Sequence, residues 1–257
     1  MSQFVQVSRE RGVMTLGLDR PEKLNALTRE MYATLAQALG EAGDDNSVRA
    51  VLIRGSENCF SSGNDIQDFL KDPPSDTDSP VFRFMHAVLA LEKPLLAAVS
   101  GVAVGIGTTL LLHCDLVYVS RDARLQVPFV NLGLTPEFGA SLILPQRLGH
   151  VRASELLLLG QAIDGERAVA WGLANEALDN GADAFARALE VAESFQRKAP
   201  GAILHSKRLM LGNQRELLLK VIDEEARIFG QRLRSPEALE AFNAFIQRRQ
   251  PDFSKQT

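Results

Sequence analysis

Apolar and polar positions alternate on both sides of Arg11-Gly12 in "FVQVSRERGVMTLGLD", which predicts two strands joined in a hairpin. The period then changes. After the loop "RPEKLNAL", Met31, Leu35, Leu39 and Ala42 fall on one face of a helix beginning at Thr28. "AVLIRG" is a short apolar run and reads as a buried strand. "SENCFSSGND" reads as a loop that enters a helix at Asp65. "DPPSDTDSP", residues 72–80, is rich in Pro, Ser and Asp and is expected to be mobile. Strand "PLLAAVSG", helix "GVAVGIGTTLLLHC" and strand "DLVYVS" follow in α/β alternation. From about Ala184 the pattern is helical throughout. The expected organisation is a β/α core over residues 1–195 and a helical C-terminal region over 196–257.

Composition narrows the class of protein. At 257 residues, 46% hydrophobic and 23% charged, the chain is long enough for a sizeable core and ordinary for a soluble globular protein. A formal net charge of -4 argues against nucleic acid or an anionic membrane as partner. "MSQFVQVSRERG" has no apolar signal core, and the long run "PLLAAVSGVAVGIGTTLLLHC" contains four glycines or serines, so it reads as strand plus helix rather than a membrane span. Cys59 and Cys114 stand alone, as free thiols in a reducing compartment do. A cytoplasmic location is the expectation.

Several chemistries are missing. His86, His113, His150 and His205 lack metal-ligand spacing, so no metal is expected, and His113 reads as a core or helix-end residue. No G-x-S-x-G elbow and no phosphate-binding G-x-x-x-x-G-K-[ST] loop occurs. "SGVAVGIG" spaces its glycines as a dinucleotide-binding turn does. It lies a hundred residues in, however, and neither Tyr32 nor Tyr118 has the lysine four residues on that a short-chain dehydrogenase needs.

Two glycine loops keep physical content after those exclusions. Gly63 in "FSSGND" can turn the backbone so that the Asn64 amide points into a pocket. Gly105 and Gly107 flank Ile106, whose amide lies in the first turn of a helix, where N–H groups lack partners. Both loops follow apolar strands, beyond whose ends ligands gather in α/β sheets. On spacing alone they are either tight turns or two donors converging on an oxyanion. Glu137 raises a similar choice. It stands alone between Pro136 and Phe138 in "GLTPEFGAS", as an acid in the first turn of a helix starting near Gly139 would.

In this order, "RPEKLNAL", "AVLIRG", "CFSSGNDI", "KPLLAAVSGVAVGIGTTLLLHCDLVYVS", "PFVNLGLTPEFGAS" and a "WGLANE" segment resemble the enoyl-CoA hydratase/isomerase family, or crotonase superfamily, over residues from about 5 to 175. The resemblance implies a spiral β/α core with a helical C-terminal trimerisation region, in a homotrimer or dimer of trimers. It also implies acyl-CoA thioester substrates of fatty acid metabolism. No cofactor is implied, since coenzyme A is part of the substrate. The oxyanion amides of the family fall on Asn64 and Ile106, and here the second loop reads "GIG" where many members have three glycines. The two hydratase glutamates fall on Thr109 and Phe129, so water addition by that mechanism is not expected, and Phe129 would keep water out. The third position is Glu137, and the "SSGND" loop with the "PEF" turn is similar to the peroxisomal-type Δ3,Δ2-enoyl-CoA isomerases, in which this Glu is the base. Ser62, Gly63, Asp65, Ile66 and Gly105 would lie along the acyl-CoA. Lys23 is either a phosphate contact or a solvated loop lysine, and Gln67 stands where many hydratases have a lysine. The other readings are a different enolate reaction on acyl-CoA, such as hydration, or a non-catalytic acyl-CoA-binding protein.

Overall fold

A computed structural model describes residues 2–71, 78–212, 214–247 and 249–255. The hairpin forms as the alternation predicts, from β1 (Val5–Glu10) and β2 (Val13–Leu18). Arg11 and Gly12 both take positive φ, the geometry of a tight hairpin turn whose twist matches the strands. Helix α1 (Arg29–Asp44) starts at Thr28, whose side chain accepts from the Met31 amide, and buries the predicted face.

The chain then winds so that each turn places one strand in each of two sheets. Strand β3 (Ala50–Arg54) joins the first sheet and β4 (Cys59–Ser61) the second. After α2 (Ile66–Lys71) and α3 (Pro80–Ala90), β5 (Leu95–Val99) returns to the first and β6 (Val102–Val104) to the second. Helix α4 (Ile106–Thr109) and a 3-10 turn over Leu110–His113 lead to β7 (Leu116–Ser120) and β8 (Arg124–Gln126), again one in each sheet. The remaining core elements are α5 (Ala140–Leu148), α6 (His150–Leu157), β9 (Ile163–Asp164), α7 (Gly165–Ala170), β10 (Glu176–Leu178) and α8 (Gly181–Ser194). The first sheet runs β1-β2-β3-β5-β7-β10 and the second β4-β6-β8-β9. Parallel pairing from β2 to β10 and from β4 to β8 is the signature of this spiral.

The first sheet is covered on both sides, which is why its strands read as continuous apolar runs. Val51 and Ile53, Ala97 and Val99, and Val117 and Val119 face the main core. Their neighbours Leu52, Leu96 and Tyr118 face Ala188 and Ala192 of α8. Among the described residues three α-helices follow, α9 (Pro200–Leu211), α10 (Arg215–Arg232) and α11 (Pro236–Ile246), and then a 3-10 turn over Phe253–Lys255. Ile222, Phe229, Leu233, Ala238 and Phe242 from this region belong to the same buried cluster as the β/α core.

Two stretches depart from the sequence reading. "SENCFSSGND" contains a strand, β4, and "GVAVGIGTTLLLHC" begins with a strand, β6, before a much shorter helix. Runs of three residues are too short to show a period, and these strands form because they pair with each other. Of the segment expected to be mobile, residues 72–77 lie outside the described residues, while Ser79 and Pro80 open α3. Among the described residues no helix is long and apolar enough to cross a membrane.

Candidate active site

The first glycine loop is built on contacts with the "RPEKLNAL" loop and with β6, the strand beside it. Buried Asn25, in the "RPEKLNAL" loop, donates to the Cys59 and Phe60 carbonyls at 2.9 and 3.2 Å and ties that loop to β4. The Ser61 hydroxyl donates to the Asn25 carbonyl at 2.9 Å and accepts from the Gly63 amide at 3.1 Å. Gly63 has φ +97°, and a Cβ there would lie 2.9 Å from the Val104 carbonyl oxygen, so only glycine fits. The Leu27 amide donates to the Gly63 carbonyl and the Asp65 amide to the Leu27 carbonyl, which turns the intervening Asn64 N–H the other way. The Asn64 side-chain oxygen accepts from the Tyr32 hydroxyl at 2.5 Å. Across the pocket, Gly105 adopts φ 55°, ψ -121°, and α4 begins at Ile106. Among the described residues neither the Asn64 nor the Ile106 amide donates to a backbone carbonyl.

Ser62, Asn64, Ile66, Gly105, Ile106 and Phe129 line one pocket, closed by Phe229 and Phe242 from the C-terminal helices. Gly63 shapes this loop without lining the pocket. Asp65 also stands outside it: its carboxylate meets Arg20 at 2.7 Å and accepts from the Gln67 and Asp68 amides at the start of α2. Lys23 is exposed, and its carbonyl accepts from the Ser62 hydroxyl at 3.3 Å, so its loop flanks the pocket rim.

Glu137 lies in a small adjoining apolar compartment with Val81, Phe82, Met85 and Phe138, and Phe229 is a wall of both compartments. The Glu137 side chain does not cap α5. That role belongs to Glu225 of α10, whose two carboxylate oxygens accept from the Gly139 and Ser141 amides at 2.6 and 2.9 Å. The turn itself is unusual, with Phe138 at φ 55° and Gly139 at φ 74°. His113 bonds the Phe138 carbonyl through Nε2 at 2.7 Å and stacks on the Phe138 ring. A carbonyl only accepts, so Nε2 carries the proton; burial pushes this imidazole down to about 4 and keeps it neutral. The Thr109 hydroxyl donates to Glu137 Oε1 at 3.4 Å, and Phe129 packs edge-on against Phe229.

Glu137 is 7% exposed. Burial, and then the Glu225 charge, push its carboxyl up to about 8, with the Thr109 hydrogen bond opposing them. Burial and the Glu137 charge also raise the Tyr32 phenol, which stays a donor to Asn64. No other acid lines either compartment among the described residues, and no cluster of His, Cys, Asp or Glu there could hold a metal. A buried, isolated carboxyl in a compartment adjoining the one that two unpartnered amides line is suited to removing a proton next to a carbonyl while its oxygen takes up charge.

Sequence reasoning missed Glu225, Phe229 and Phe242. One signal was available. Ile222, Glu225 and Phe229 are spaced 3 and 4 apart, which puts an acid on the apolar face of α10.

The profile of the enoyl-CoA hydratase/isomerase family matches residues 8–256. The chain is 34% identical over 266 residues to 1,2-epoxyphenylacetyl-CoA isomerase of Escherichia coli (strain K12), covering 99% of each chain. It is 32% identical over 257 residues to enoyl-CoA delta isomerase 2 of Rattus norvegicus, covering 96% of this chain and 64% of that protein. Proteins named as hydratases also match, at 30% identity. The solved structure of Pseudomonas aeruginosa OdaA superposes with a TM-score of 0.94 at 60% identity, over 96% of this chain and 100% of the other. Matched nearly end to end in sequence and in fold, this chain belongs to the enoyl-CoA hydratase/isomerase family, the crotonase superfamily.

Proposed function

We propose that the protein is a Δ3,Δ2-enoyl-CoA isomerase that shifts the double bond of a 3-enoyl-CoA to the conjugated 2-position, with Glu137 as its base. The C2 hydrogens of such a thioester are acidified by the carbonyl and by the neighbouring alkene. Glu137 removes one of them, and the electrons move onto the thioester oxygen to give a dienolate. The Asn64 and Ile106 amides receive that charge, each worth roughly 3–4 kcal/mol in comparable sites. The protonated Glu137 returns its proton to C4, so the enzyme ends as it began and only the double bond has moved. A carboxyl raised to about 8 is a stronger base than an ordinary glutamate and is well matched to this task.

The observation that carries the reading is that, among the described residues, Glu137 is the one acid lining either of the two adjoining compartments. Hydration needs acids that hold and activate water, and Thr109 and Phe129 occupy those places. Glu225 is engaged with two backbone amides and lines neither compartment. A protein that only bound acyl-CoA would have no use for a buried carboxyl.

Purified protein given 3-enoyl-CoA should produce 2-enoyl-CoA, and given 2-enoyl-CoA it should form the 3-hydroxyacyl product at least about 10²-fold more slowly. Comparable rates for the two reactions would remove the single-base assignment. We also place the enzyme in fatty acid β-oxidation in the cytoplasm, as a homotrimer or dimer of trimers. The two buried free thiols suit a reducing compartment. Exposed Leu209 and Met210 on α9, with Phe245 and Ile246 on α11, suit burial against other subunits.

A further inference from the structure

The turn that carries Glu137 is held from a distant part of the chain. Phe138 and Gly139 both adopt positive φ, and for Phe138 that conformation is unfavourable unless its surroundings impose it. Three groups impose it: His113 on the Phe138 carbonyl, the Glu137 carbonyl accepting from the Ala140 amide, and Glu225 on the Gly139 and Ser141 amides. Only Glu225 comes from the C-terminal helices. It is buried, both its oxygens are engaged, and Leu218 and Ile222 of the same helix pack where a side chain at Gly139 would stand.

We propose that Glu225 is a positioning residue: its carboxylate locks the left-handed turn that aims Glu137 and sets a second negative charge against that base. The proposal rests on Glu137 being the base. Burial raises the Glu225 carboxyl above the ordinary value, and the Ser141 and Gly139 hydrogen bonds oppose that rise by favouring its ionised form. The groups that interact with Glu137 are Tyr32 from α1, Thr109 from α4 and Glu225 from α10, while α3 presents Val81, Phe82 and Met85 and neutral His113 bonds the carbonyl of Phe138. Glu225 is the one other carboxyl among them, and its charge, when ionised, adds to burial in making Glu137 basic. Docking of α10 also brings Phe229 to the wall shared by the two compartments. One helix thus closes the pocket and aims its base together.

The test is a pair of variants. Glu225→Gln keeps the shape, but its amide group must face one of two N–H donors, so one bond is lost along with the charge. Its kcat should fall about 10- to 100-fold, the effect of a base displaced by about an ångström, with acyl-CoA affinity little changed. The acid limb of its kcat/KM profile should move to lower pH, because the raising charge is gone. Glu225→Asp keeps the charge on a shorter arm, so kcat should fall while the limb stays near the wild-type pH. Unchanged kcat and limb in Glu225→Gln would overturn the proposal, as would a loss of activity explained wholly by unfolded protein with the limb unmoved. If Glu225→Gln does not fold, Glu225→Asp decides, and wild-type kcat in that variant overturns the proposal. Amide exchange at Gly139 and Ser141, measured in a Glu137→Gln background, should be faster when Glu225→Gln is added and does not depend on turnover. An active Glu137→Gln enzyme would remove the base assignment alone; unchanged exchange would remove the clamp alone.

Discussion

Around the two amides each donor is set by backbone, Gly63 and the Leu27 pairing for Asn64 and Gly105 for Ile106, whereas the Glu137 turn is held by the side chains of His113 and of Glu225, 86 residues beyond Gly139 in sequence. Glycine solves the first problem by conformation alone. A carboxyl is harder to hold, because its side chain rotates and its burial is unfavourable, so it needs partners on several elements. The backbone side should therefore fail when a Cβ is added beside a donor and tolerate changes in the donors' own side chains. The acid side should fail when the carboxyl or its remote partners change.

The largest effect is expected at Glu137. Glu137→Gln is nearly isosteric, stays buried in the same compartment and cannot accept a proton. Isomerase kcat should fall by roughly 10²–10⁴-fold with acyl-CoA affinity little changed. Steady-state kinetics with a direct binding measurement checks both numbers. Retained activity would make the acid side mere packing and dissolve the contrast.

Next comes Gly107→Val. A Cβ on Gly107 would lie 2.9 Å from the Ser61 carbonyl oxygen and 3.2 Å from its Cβ. Valine must therefore push α4 away from β4, tilting the Ile106 amide and disturbing the residue that holds Gly63. A misdirected oxyanion donor costs about 10²–10³ in kcat, and the ground-state thioester should still bind. Circular dichroism confirms the fold, and normal turnover in a folded variant would end the backbone-donor account of the Ile106 side.

These two sides were not equally legible in the sequence. Gly63 announced a turn and Gly105 and Gly107 a helix start at Ile106, both after apolar strands, and the structure brings Asn64 and Ile106 to one pocket. The hairpin, α1 and the buried strands of the first sheet were equally plain, because their periods run long enough to read. Strands β4 and β6 were not, since three residues show no period and their pairing is with each other. Glu137 was visible as an isolated acid, yet its clamp was hidden. No local rule links Gly139 to Glu225, and the acid on the apolar face of α10 has meaning only once that helix is docked. Asp65 shows the converse: it sits in the right loop, but Arg20 and the start of α2 claim its carboxylate.

A third prediction uses pH on the acid side. The folded value of Glu137 is about 8 against an ordinary 4.5, raised first by burial and then by Glu225. The folded state thus favours the protonated form. The associated stability is fully present below about 4.5 and is lost as pH rises through about 8. Glu137→Gln cannot ionise and escapes that loss. Its stability relative to wild type should increase between those pH values, by on the order of a few kcal/mol in denaturant titrations. A difference independent of pH would mean that Glu137 ionises as readily in the folded protein as in the unfolded chain.

The smallest effect on turnover is expected at Asn64. Its amide is the proposed donor, and Asn64→Ala keeps that amide in the same Gly63-directed turn, so kcat should stay within about tenfold of wild type. Stability should respond more. The Asn64 side chain accepts from the Tyr32 hydroxyl, and truncation leaves that buried group without its partner, at about 1–3 kcal/mol. Tyr32→Phe removes the stranded donor, so Asn64→Ala combined with Tyr32→Phe should be more stable than Asn64→Ala alone, because deleting both partners is milder than deleting one. Thermal unfolding of the three variants gives that order, and kcat on 3-enoyl-CoA gives the other half of the test. A loss of 10²-fold or more in a folded Asn64→Ala would show the side chain itself acting on the reacting oxygen. The first loop would then depend on side-chain chemistry, as the Glu137 turn does, and the contrast between the two sides would survive only at Ile106.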